Sequence, residues 1–160
     1  MRKILVAAFI FAMTLSVNSF ADIKMGIILG FTGPIESLTP AMRDSARLAF
    51  QEASDSGSLL GGEKISVLEG DSTCVDSAAA TAAAEKMISD GVAAIMGADC
   101  SGVTTAIATN VAVPNGVVMI SPSATAPSLS TIEDNGYFFR TAPSDARGGQ
   151  VLADITKDRK

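Results

Sequence analysis

The sequence predicts an α/β fold, a three-layer, doubly wound parallel sheet. Short apolar runs alternate with helical segments from residue 22 onward. Glycine- and proline-containing turns separate them. Helical crossovers between successive strands make those strands parallel and cover both faces of the sheet. The crossovers are taken as right-handed, as nearly all are.

The first 21 residues stand apart from this pattern. Met1-Arg2-Lys3 is a basic head, Ile4 to Val17 is almost continuously apolar, and Ser19-Phe20-Ala21 is a small-x-small cleavage pattern. That order reads as a secretory signal peptide over residues 1–21. The apolar run is shorter than the ~20 residues a spanning helix needs. Cleavage leaves residues 22–160, enough for one domain with a core.

Ile23 to Leu29 predicts the first strand, broken by Gly30-Phe31-Thr32-Gly33-Pro34. A helix follows from Thr39, with Pro40 suited to its first turn and Gly57 ending it. After the Gly61-Gly62 turn, Lys64 to Glu69 alternates as a second strand, and Gly70 to Cys74 is a polar loop. Val75 to Ser89 is the clearest helix, with Asp76 or Ser72 as cap, an alanine interior and Gly91 as stop. Val92 to Met96 predicts the third strand, Gly97 to Gly102 a loop and Val103 to Val111 a helix. Val117 to Ile120 is the fourth strand and Tyr137 to Arg140 the fifth. Ser144 or Asp145 then caps a last helix running toward Lys157. The sequence closes on "ITKDRK" without a further strand, which reads as a cut within a longer fold.

Composition removes several classes of function. Without Arg2 and Lys3 the basic count falls from 12 to 10 against 17 acids, a formal charge of −7. An acidic exported domain without a basic stripe is a poor partner for nucleic acid or an anionic membrane. The chain has no histidine, which excludes Ser-His and Cys-His nucleophile pairs and histidine zinc sites. No metal and no cofactor is expected. Cys74 and Cys100 both lie in the exported part, at the ends of strands expected to be adjacent, and an oxidising compartment makes a disulfide their default state. A catalytic thiol would lack a base. Nor is an enzyme expected on motif grounds. The loop after the first strand reads Gly26-x-x-x-Gly30-x-x-Gly33, not the dinucleotide fingerprint, and no GxSxG elbow occurs.

Ligands of open parallel sheets bind outside the C-terminal strand ends. Those ends carry Gly30 to Ser37, Gly70 to Thr73, Ala98 to Gly102 and Ser121 to Ser128. "DCSGVTT" sets Ser101 at or beside a helix start, whose N–H groups and dipole suit a carboxylate. "SPSATAPSL" offers hydroxyls and carbonyls that accept from an ammonium group. Each loop alone reads more readily as caps and turns. Together they could hold a zwitterion.

"GFTGPIESLTPAM", "GDSTC", "GADCSG", "MISPSATAPSL" and "YFFRTAPSD", in that order behind a signal peptide, resemble the leucine/isoleucine/valine-binding family. These are the type I periplasmic substrate-binding proteins of ABC importers, built of two α/β lobes that close on the ligand. The resemblance covers residues 22–160 as the N-terminal ligand-binding lobe and leaves out the second lobe. It implies a Cys74–Cys100 bridge and ligand contacts at Ser101 and at Ser123, Ala124 and Thr125. Family members often carry an aromatic residue where this chain has Leu38, and alanine is frequent where it has Ser123. Asp145 either supports the site or touches the ligand's amine, with a helix cap as the alternative. The implied function is capture in the periplasm, by a monomer, of a branched-chain or related amino acid for delivery to an ABC transporter permease. A receptor's ligand-sensing domain of the same fold is the alternative.

Overall fold

The computed structural model describes residues 22–159; the expected signal peptide lies outside them. Five strands form one sheet: β1 (Ile23–Leu29), β2 (Ile65–Asp71), β3 (Ala94–Gly97), β4 (Val118–Ser121) and β5 (Phe138–Arg140). Their order is β2-β1-β3-β4-β5, and every neighbouring pair is parallel. Helix α1 (Thr39–Asp55) joins β1 to β2, α2 (Ser77–Ser89) joins β2 to β3, and α3 (Ser101–Ile107) leads toward β4. A π-helical segment, Ala108–Ala112, continues α3, so this helical run is longer than the sequence implied at both ends. Helix α4 (Asp145–Asp158) follows β5.

Adjacent residues of β1 assign the layers, because side chains alternate across a strand. Met25 lines a shallow apolar cavity of about 180 Å³ with Ala46, Ala49 and Phe50 of α1. Gly26, next in sequence, faces Met87 of α2, where a Cβ would lie 2.9 Å from its sulfur. α1 and α2 therefore cover opposite faces, which makes the expected three layers. The main core lies on the α2–α3 side and includes Ile28, Ala84, Met87, Ile95, Ile107, Val111 and Met119. Alanines in α2 let that helix approach closely, and Gly26 and Gly70 leave room for the Met87 side chain.

The other face is covered less completely. Ile120 of β4 and Phe139 of β5 are 41% and 52% exposed. α4 buries no residue at all. Among the described residues, no helix is long and apolar enough to cross a membrane.

Candidate functional site

The strand order reverses at β1, whose chain neighbour β2 lies on one side while β3, β4 and β5 follow on the other. The loops after β1 and β3 therefore diverge at a switch point, the place where open α/β sheets take ligands. At this edge β3 ends at Gly97, with φ of +132° and no room for a Cβ against the Ile28 carbonyl. The following segment, Ala98-Asp99-Cys100, runs into α3 at Ser101.

Hydrogen bonds join this segment to every loop around it. Asp99 is 3% exposed. Its carboxylate accepts from Gly30 N–H at 2.7 Å, from Cys100 N–H at 2.8 Å and from the Ser72 hydroxyl at 3.3 Å. The Asp99 carbonyl accepts from the Ser123 hydroxyl at 3.0 Å. Sequence reasoning passed over Asp99, although it is the one charge in the run "AAIMGADCSG", which is the signal that marks it.

The Ser101 hydroxyl accepts from two backbone N–H groups across the crevice, Thr125 and Ala126, each at 3.1 Å. Both lone pairs are then used, so the hydroxyl proton is left to donate elsewhere. The first bond of the α3 backbone ladder runs from Thr104 N–H to the Cys100 carbonyl. Earlier N–H groups of that turn precede the ladder.

Ser121 belongs to β4 rather than to the loop the sequence assigned it. It aligns with Arg140 in the parallel register of β5. It is fully buried, its hydroxyl donates to the Ala98 carbonyl and it accepts from Ala124 N–H. It is a brace between β3 and β4. Ala124 is fully buried, and its carbonyl accepts from Arg140, which also reaches the Ala126 carbonyl at 2.9 Å. Within the described residues no group donates to the Ser123 carbonyl.

The structure brings Ser101, Ser123, Ala124 and Thr125 together, and it adds the backbone of Asp145, whose N–H donates to the Thr125 carbonyl at 3.0 Å. Ser144 is the cap of α4, accepting from Ala146 N–H, and Asp145 is the first helical residue. Leu38 stands apart, 58% exposed at the start of α1, and shares no hydrogen bond with the other five.

Cys74 and Cys100 form a disulfide with Cα atoms 5.2 Å apart. Their strands, β2 and β3, are not adjacent, because β1 lies between them. The bridge passes across the end of β1 and ties the loops on its two sides. Nearby, burial pushes the Asp71 carboxyl up. The Thr32 hydroxyl and the N–H groups of Thr73, Thr32 and Phe31 outweigh that effect and hold it below the usual carboxylate range. Among the described residues, no group of three His, Cys, Asp or Glu could hold a metal ion.

A family model described as periplasmic binding protein matches residues 22–160. The chain is 33% identical over 151 residues to a Leu/Ile/Val-binding protein of Rhizobium johnstonii, covering 94% of this chain and 40% of that protein. It is 34% identical to a leucine-, isoleucine-, valine-, threonine- and alanine-binding protein of Pseudomonas aeruginosa, covering 97% and 41%. Among solved structures it resembles the branched-chain amino acid transporter substrate binding protein LivJ of Streptococcus pneumoniae in complex with isoleucine. The TM-score is 0.69 at 29% identity, over 78% of this chain and 35% of that one. The chain thus spans about two fifths of the length of the curated relatives it matches. The family match runs through all the described residues and the fold superposes on solved relatives, so the chain belongs to the periplasmic binding protein family.

Proposed function

We propose that this chain is the ligand-binding N-terminal lobe of a periplasmic solute-binding protein that captures a branched-chain or related amino acid for an ABC transporter permease. Residues 1–21 act as the export signal, and residues 22–160 form the first lobe. In the whole protein, a monomer, a second lobe closes on the ligand. One observation carries the reading: the Ser101 hydroxyl braces Thr125 and Ala126 across the crevice and keeps its own proton for a ligand carboxylate. The Ser123 carbonyl and the Thr125 hydroxyl face no partner within the described residues and suit an ammonium group. The relatives' names point to the same ligand class. Asp145 supports the site through its backbone N–H, which donates to the Thr125 carbonyl.

Titration calorimetry of the two-lobed protein with L-leucine tests this. Ser101→Ala and Thr125→Ala should each cost roughly 1.5–3 kcal/mol of affinity, and should do so alike for every amino acid that binds, because they touch its common part. If both variants fold and keep wild-type affinity, the assignment is wrong.

A further inference from the structure

We propose that Asp99 is a positioning residue for this site, holding the loops after β1, β2 and β3 in one arrangement and through it the distance from Ser101 to Thr125. The functional meaning rests on the amino-acid reading above; the geometry does not.

A carboxyl group is costly to bury unless its oxygens are bonded. Asp99 meets that cost with three donors, Gly30 and Ser72 from two other loops and Cys100 from its own, and no salt bridge of the described residues includes it. The bonds therefore specify where loops lie. Gly30 begins the loop that carries Leu38, and Ser72 begins the loop that carries Cys74. On the other side, the Asp99 carbonyl takes the Ser123 hydroxyl, and Ser101, two residues on, holds Thr125 and Ala126. The segment is short and runs straight into α3, so a displacement of Asp99 is passed on to Ser101.

Asp99→Asn keeps the shape and removes one acceptor. If the amide oxygen keeps Cys100 N–H, the amide nitrogen opposes Gly30 N–H, donor against donor. Amide hydrogen exchange of the chain reads the result. Whichever of Gly30 and Cys100 loses its acceptor should exchange roughly tenfold faster. Thr125 and Ala126, which do not touch the Asp99 carboxylate, should also speed up. Ile27 and Met119 in the strands should not. Faster exchange confined to Gly30 or Cys100 would make Asp99 a local brace and overturn the proposal.

Ser72→Ala removes only the longest of the three bonds and should cause a smaller rise at the same amides. If Asp99→Asn does not fold, this variant decides, and an unchanged Thr125 overturns the proposal. Adding millimolar L-leucine to the two-lobed wild-type protein keeps the two ideas apart. Absence of amide shifts at Ser101 and Thr125 counts against the amino-acid reading, while the exchange result stands by itself. If shifts occur, they should weaken severalfold in Asp99→Asn; an equal response overturns the positioning role.

Discussion

Helices α2 and α4 begin alike and end in opposite circumstances. Asp76 caps α2 by accepting from Ala78 and Ala79 N–H, and Ser144 caps α4 by accepting from Ala146 N–H. Yet α2 buries Ala80, Ala84 and Met87 against the sheet, while α4 buries nothing and exposes Val151, Leu152 and Ile155. Those three recur at helical spacing on one side of α4. Capping and periodicity are local properties and appear wherever the sequence writes them. Burial needs a partner surface, and only α2 has one here. Gly148 and Gly149 weaken α4 further, since each costs helix propensity relative to alanine.

The largest expected effect is at Met87. Met87→Ala should remove the contact with β1 and β2 and lower stability by about 2–5 kcal/mol in urea unfolding. A loss no greater than that of an α4 variant would end the contrast. Next comes the disulfide, which pins the start of α2 to the start of α3 and has no counterpart at α4. Replacing Cys74 and Cys100 by serine opens a loop of 26 residues' separation and should cost about 3 kcal/mol on the chain-entropy account.

The caps give the sharpest comparison. Asp76→Ala should cost about 1 kcal/mol of global stability. Ser144→Ala removes a bond of the same kind, yet it should only fray α4, seen as faster amide exchange there with the unfolding midpoint unchanged. The smallest effect belongs to Leu152→Ala, within about 0.5 kcal/mol, because an exposed side chain leaves no cavity. A clear destabilisation would show that α4 is packed in solution.

Most elements were readable because their signals are local: apolar strands, the Asp76 cap, the stops at Gly57 and Gly91. The strand order was not readable. Only the fold places β1 between β2 and β3, and this is why the cysteines' strands proved not to be neighbours. Ser121 was misplaced for a similar reason. A serine after four apolar residues looks like the start of a loop, but β5 supplies the partner that extends β4 through it. At the site, Ser101 and Thr125 are proposed from loop chemistry and from the resemblance. Asp99 was missed because a lone acid in a glycine- and alanine-rich turn looks solvated until the fold brings Gly30 N–H and the Ser72 hydroxyl to it from distant parts of the chain.

The central place of β1 also bears on how the chain acquires its fold. Ile23 pairs with Ile65, and Met25 with Ala94. The earliest strand thus gains its first neighbour only after one long stretch of chain has been made, and its second only after another, each closed into a loop at an entropic cost. Non-local parallel pairing of this kind slows folding. During that interval Ile27, Ile28 and Leu29, fully buried in the finished molecule, stay open to water and to other chains. A chain that emerges from its amino end must therefore keep its most apolar strand soluble until Gly97 has appeared.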